Sequence, residues 1–208
     1  DDTPSLFQIS EVVIDFTLAT ITETHTALAA QYGTKLILGT TGHDEQQISS
    51  ITAAAKKTTI VKAMNFSVGI NILLKLTKDI GKAVGEDFDI EILAMHNRNK
   101  VDSPSGTALA IAKAISERKT FDRNIPEKET LTGTRGGDYK GVSIHSVRSP
   151  GTSANHEIIF STAGQTLILR HDTIGRECYM PGVTMAIRHV MENNGLVVGL
   201  DKILGLGT

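Results

Sequence analysis

Lys35-Leu-Ile-Leu38, Gly39-Thr40-Thr41-Gly42, Asp44 to Lys57 and Thr58-Thr-Ile-Val-Lys62 follow one another almost without a break. They read as strand, glycine turn, helix and strand. The outer pieces are short and aliphatic, and the long middle piece sets Ile48, Ile51 and Ala55 on one helical face. Strands joined through a helix need a crossover connection and therefore run parallel. The same alternation holds upstream: Glu11-Val-Val-Ile-Asp-Phe16 is a β-branched run, and Thr17 to Tyr32 reads as a helix that Gly33 ends. The first third of the chain thus predicts a doubly wound, Rossmann-like sheet, whose ligands lie beyond the carboxyl ends of its strands.

The pattern changes near Ser67. A longer helix is expected from Ser67 to Val84, then a strand at Asp89 to Ala94, a helix from Ser105 to Glu117 and an irregular polar stretch at 118–130. Three strands follow at Gly141 to Val147, Glu157 to Thr162 and Thr166 to His171, read as a meander-like antiparallel group. Pro181 opens a helix to Asn193, and Leu196 to Leu206 gives a short strand and a terminal turn. Two domains are expected: 1–66 with 177–208 as a doubly wound unit, and 67–176 as an α+β unit with a mainly antiparallel sheet.

Composition narrows the function classes. The 208 residues carry 21 Lys and Arg against 23 Asp and Glu, a formal charge of −2, which disfavours nucleic acid and polyanionic membrane as partners. Aromatics are 4% with no Trp, so base-stacking platforms are not expected. No apolar run approaches the roughly 18 residues of a membrane helix. The single cysteine, Cys178, excludes an internal disulfide framework and a cysteine-based zinc site, and it reads as a packed residue rather than a nucleophile. No H-x-x-E-H or H-E-x-x-H spacing occurs among the histidines, so no metal is expected. His145 and His171 fall in strands and read as structural. A cytoplasmic enzyme or binding protein is the expectation.

One stretch gathers chemistry: His96-Asn97-Arg98-Asn99-Lys100-Val101-Asp102-Ser103-Pro104-Ser105-Gly106-Thr107-Ala108. If the strand continues, His96, Arg98 and Lys100 point the same way; if the chain turns helical, His96 and Lys100 share a face. Either way an imidazole and an ammonium converge. Ser105-Gly106-Thr107 then opens a helix, whose free N–H groups and dipole suit a carboxylate or phosphate. The alternative is structural: Ser105 as a simple cap, and Lys100 paired with Asp102 on a solvated loop. Residue types and spacing alone reach a small anionic ligand beside a proton donor.

This run closely resembles the signature of the 4-hydroxy-tetrahydrodipicolinate reductase (dihydrodipicolinate reductase) family. Val13-Ile14-Asp15-Phe16-Thr17, Gly39 to Gly42, Ala63-Met64-Asn65-Phe66-Ser67-Val68-Gly69, Gly133-Thr134-Arg135 and Gly151 to Glu157 resemble the family in the same order. The resemblance implies reduction of (hydroxy-)tetrahydrodipicolinate, a small cyclic dicarboxylate, with NADH or NADPH, in lysine and diaminopimelate synthesis. It implies His96 as proton donor or acceptor and Lys100 as the second catalytic residue, also binding substrate. It places the substrate carboxylate on Ser105, Gly106 and Thr107, with Asn97 where the family often has a second histidine. The cofactor contacts it implies are Phe16, Thr17, Gly39, Thr40, Thr41, Ala63, Met64, Asn65 and Phe66. Arg176, matching a position near the family's active site, is a further cofactor contact that the resemblance implies. A homotetramer is the implied assembly.

One departure stands out. The family opens with a strand and a G-x-x-G-x-x-G loop for the pyrophosphate, and Asp1 to Ser10 contains nothing like it. An incompletely recorded N-terminus is the favoured expectation, and a variant that lost nucleotide binding is the other. The rival functions are accordingly a non-enzymatic dicarboxylate-binding relative and a same-fold reductase of another small carboxylate imine.

Overall fold

A computed structural model of the chain describes residues 2–207; Asp1 and Thr208, the outer ends of the predicted nucleotide unit, lie outside the described residues. In chain order the elements are α1 (Thr3–Ile9), β1 (Val12–Asp15), α2 (Thr22–Tyr32), β2 (Lys35–Leu38), α3 (Glu45–Ala54), β3 (Ile60–Lys62) and α4 (Val68–Ala83). There follow β4 (Asp89–His96), α5 (Gly106–Ile115), β5 (Gly137–Tyr139), β6 (Val142–Arg148), β7 (Ala154–Thr162) and β8 (Gln165–Thr173). The chain closes with α6 (Met180–Glu192), β9 (Leu196–Val198) and α7 (Leu200–Ile203). The chain divides into two compact units, one running through Asn71 and resuming at Glu177, the other Ile72–Arg176.

The first unit is a parallel sheet in the order β1-β2-β3-β9. Register puts Ile14 beside Ile37, Ile37 beside Val61 and Val61 beside Val197. Alternate side chains then point to opposite faces. Leu36, Leu38 and Ile60 pack with Phe7, Ala29 and Ile51 of α1, α2 and α3. Ile37 and Val61 pack with Val183, Ala186, Val190 and Leu200 of α6 and α7. Both faces are covered, which is why these strands are apolar throughout rather than alternating. Each such aliphatic side chain contributes about 1.5–3 kcal/mol by leaving water.

Two details differ from expectation here. Residues 3–9 form a helix, with Asp2 accepting from Ser5 N at 3.3 Å and Phe7 buried against the sheet. The helix expected from Thr17 begins at Thr22 after a 3-10 turn over Ala19–Ile21. Asp15 causes the delay by drawing Thr17 N to 2.8 Å, which holds Thr17 in a turn.

The second unit is a five-stranded sheet in the order β5-β6-β4-β7-β8. The expected meander is not formed: β4 lies between β6 and β7, running parallel to β6 and antiparallel to β7. Direct hairpins join β7 to β8 and β5 to β6, the latter through Lys140-Gly141. On one face Ile90, Ile92, Val142, Ile144, Ile158 and Phe160 are buried, as are Ala108, Ile111, Ala112 and Ile115 of α5. The strand β5 was not foreseen, because Gly137-Asp-Tyr139 carries no apolar alternation.

Candidate active site

Within the second unit, β4 delivers His96 as its last residue, and its chain direction then reverses at once. Asn97 Oδ1 accepts from Asn99 N at 3.1 Å, and Lys100 N donates to Asn97 O at 3.0 Å. The period-two reading therefore stops at His96: Arg98 is exposed, and Lys100 returns through a tight turn. The strand end is fixed from the 149–152 loop. Thr152 Oγ1 donates to His96 O at 2.7 Å, Ser149 N donates to the same oxygen at 3.0 Å, and Asn97 Nδ2 donates to Pro150 O at 3.2 Å.

His96 is buried, and Nδ1 has no hydrogen-bond partner among the described residues. Burial first, then the charges of Lys100 and Arg148, lower its pKa below the ordinary imidazole value. The resting imidazole is therefore neutral at pH 7. Its ring lies edge-on to His156, with centroids 5.1 Å apart. His156 is 1% exposed, with both ring nitrogens unpartnered among the described residues. Burial, followed by His96, His171 and Lys100, pushes its pKa down to about 4.

Ser105 caps α5: its Oγ accepts from Ala108 N at 3.1 Å. Its hydroxyl oxygen accepts in the cap and can still donate its own proton, while Gly106 and Thr107 supply N–H groups of the helix's first turn. The space over Gly106 is open, with no atom within 4 Å of where a Cβ would stand. Lys100 Nζ lies 2.6 Å from Asp102 Oδ1, the ion pair that the structural alternative foresaw. One ammonium and one helix N-terminus, both suited to a carboxylate, nonetheless meet at Asp102.

In the first unit, Phe16-Thr17, Gly39-Thr40-Thr41 and Ala63 to Phe66 all follow the carboxyl ends of β1, β2 and β3, which are adjacent in the sheet. Asp15, only 2% exposed, organises the first two. Its carboxylate accepts from Thr17 Oγ1 at 2.5 Å and Thr40 Oγ1 at 3.2 Å, and pairs with His25 Nδ1 at 2.8 Å. Burial alone would raise its pKa, but the hydrogen bonds of Thr17 and His25 outweigh it and hold the group ionised. Phe16 stands edge-on to Phe66 at 5.4 Å, half exposed, and a Cβ on Gly39 would collide with its ring. Met64 is 72% exposed. An exposed aromatic edge and thioether beside a polar turn, at the mouth of a parallel sheet, fit the flat nicotinamide end of a dinucleotide. Thr40, Ala63 and Phe66 are buried, so any contact they offer there comes through backbone. Arg176 is exposed at the last position of the second unit.

Sequence reasoning missed Asp15, Arg148, Thr152 and His156. Asp15 carried a signal, a lone carboxylate closing an apolar strand. The other three reach the site from β6, β7 and their loop, through register that no local pattern encodes.

Among the described residues no helix is long and apolar enough to cross a membrane, and no group of three or more His, Cys, Asp or Glu could hold a metal ion. Residues 1–66 match the family described as dihydrodipicolinate reductase, N-terminus, and residues 69–204 its C-terminus. The chain is 40% identical over 198 residues to 4-hydroxy-tetrahydrodipicolinate reductase of Dehalococcoides mccartyi, covering 94% of this chain and 74% of that one. It is 42% identical over 198 residues to the enzyme of the same name from Geobacillus kaustophilus, covering 93% and 74%. A dipicolinate-bound dihydrodipicolinate reductase from Paenisporosarcina sp. TG-14 superimposes with a TM-score of 0.81 at 40% identity, covering 93% of this chain and 73% of that one. A probable dehydrogenase from Thermotoga maritima, 11% identical with a TM-score of 0.55, shares the fold alone. By both halves of its sequence and by its fold, this chain belongs to the dihydrodipicolinate reductase family.

Proposed function

We propose that this chain reduces 4-hydroxy-tetrahydrodipicolinate to tetrahydrodipicolinate with NADH or NADPH, using the His96 to Thr107 corner for substrate and the β1, β2 and β3 turns for nucleotide. The observation that carries the reading is the convergence of a buried imidazole, an ammonium and an open helix N-terminus within one short segment. The nucleotide, when bound, supplies a hydride. Everything else falls to the chain's own residues.

Lys100, the N–H groups of Gly106 and Thr107 and the hydroxyls of Ser105 and Thr107 hold a substrate carboxylate; Ser105 also caps that helix end, and Asn97 offers an amide. His96 moves the proton. Two of the effects that keep its imidazole neutral at rest are the charges of Lys100 and Arg148. A bound dianion offsets those charges and raises the imidazole's proton affinity, so substrate binding itself readies His96 to donate. Phe16, Thr17, Gly39, Thr40, Thr41, Ala63, Met64, Asn65 and Phe66 line the nucleotide site, and Arg176 serves near the reacting centre. The nucleotide domain comprises 1–66 and 177–208, and the substrate domain 67–176.

The protein works as a cytoplasmic homotetramer. The sheet face opposite α5 supports the assembly: Leu93, Met95, Ile159 and Ile168 are only partly covered there. A sedimentation mass of four chains is expected, and a monomer would contradict it.

The activity is tested by following NADH and NADPH oxidation with substrate freshly made from pyruvate and aspartate semialdehyde. Substrate-dependent oxidation is expected. Dicarboxylate binding without oxidation would favour a non-enzymatic binding protein.

A further inference from the structure

The proposed carboxylate corner already contains a carboxylate. Lys100 Nζ is 2.6 Å from Asp102 Oδ1, and Asp102 lies three residues before Ser105, the N-cap of α5, with open space where a Cβ of Gly106 would stand. The backbone of Asp102 is pinned separately: Arg148 Nη2 donates to its carbonyl at 2.6 Å. That bond leaves the carboxylate to be placed chiefly by Lys100, with the Gly106 N–H beside it. The Lys100 side chain is 30% exposed and that of Asp102 51% exposed, so their ion pair is weakly held and can exchange partners.

We propose that Asp102 is an internal stand-in for the substrate carboxylate: it occupies the Lys100 ammonium in the free protein and must yield it when the dicarboxylate binds. This rests on the reading that Lys100 and α5 bind substrate. The Lys100 hydrogen bond, with a smaller contribution from Gly106 N–H, holds the Asp102 carboxyl below its ordinary value, so the stand-in stays anionic wherever the substrate does. Its effect is twofold. It keeps inorganic anions from settling on an otherwise bare ammonium and helix end. It also weakens the dicarboxylate by competition, since a ligand's apparent affinity falls by the fraction of sites already self-occupied. Asp102 is thus a positioning and selectivity residue rather than a catalytic one.

The test is calorimetric titration of the full chain with dipicolinate, then with inorganic phosphate, for the wild type and for Asp102→Asn, Asp102→Ala and Lys100→Met. Both Asp102 variants change a half-exposed side chain and should fold. They are expected to bind dipicolinate about tenfold more tightly, and phosphate more tightly still relative to the wild type. In the Lys100→Met background, Asp102→Asn should change little. If Lys100→Met weakens dipicolinate while neither Asp102 variant tightens it, Asp102 is no competitor and the inference fails on its own. If Lys100→Met leaves dipicolinate binding unchanged, the substrate-site reading beneath it fails first.

Discussion

His96 holds a neutral imidazole where burial and two neighbouring cations all disfavour a positive charge. A dicarboxylate bound beside those two cations would reverse it. Thr107 stands at the other side of the same corner, in the first turn of α5. Replacing it by Val keeps shape and removes one hydroxyl, so Thr107→Val is expected to weaken dipicolinate about fivefold, the size of one lost hydrogen bond, without changing nucleotide affinity. Titration with each ligand separately checks this. Equal losses of both would mean a folding defect rather than a lost contact. Ser105 differs in kind. Its hydroxyl oxygen accepts from Ala108 N, so replacing it would disturb the helix end as well as any ligand contact.

At the scale of elements, the β1 turn is held by one buried carboxylate with four protein contacts. Asp15→Ala leaves Thr17, Thr40 and His25 without their acceptor. It is expected to cost about 3 kcal/mol of stability in urea unfolding and to weaken nucleotide binding through the Phe16-Thr17 turn. A stability loss with unaltered nucleotide affinity would separate the turn from the cofactor site. The same elements show what a sequence can reveal. The βα alternation over 11–62 was legible because period-two and period-3.6 patterns are local. The segment His96 to Thr107 was legible because its chemistry is contiguous. The place of β4 between β6 and β7 was not, since strand order depends on pairings between distant segments that no local pattern records. His156 escaped notice for the same reason: it falls just before the strand expected at Glu157, and only register with Ala94 brings it beside His96. The helix α1 was hidden by its brevity, with a single buried anchor, Phe7.

For the whole molecule, buried neutral histidines set the response to acid. In the folded state His156 titrates at about 4, against 6.5 ordinarily, and His43, His96 and His171 are shifted the same way, chiefly by burial. Between those values the unfolded chain binds protons that the folded one refuses, so stability falls as pH drops from about 6.5 towards 4 and is complete above that window. His156 alone should cost about 2 kcal/mol between pH 7 and 5. Urea midpoints at the two pH values should fall further in the wild type than in His156→Phe, which keeps the ring and removes the titration. Equal falls would show that His156 is not held neutral. The two units together are expected to perform one reaction, in which the first binds nucleotide and the second binds substrate and moves the proton. The most direct test compares His96→Gln with the wild type in steady-state NADH and NADPH oxidation, with dipicolinate affinity measured in parallel. A fall in kcat of about 10²–10⁴-fold with affinity nearly unchanged is predicted; an undiminished kcat would contradict the assignment of proton transfer to His96.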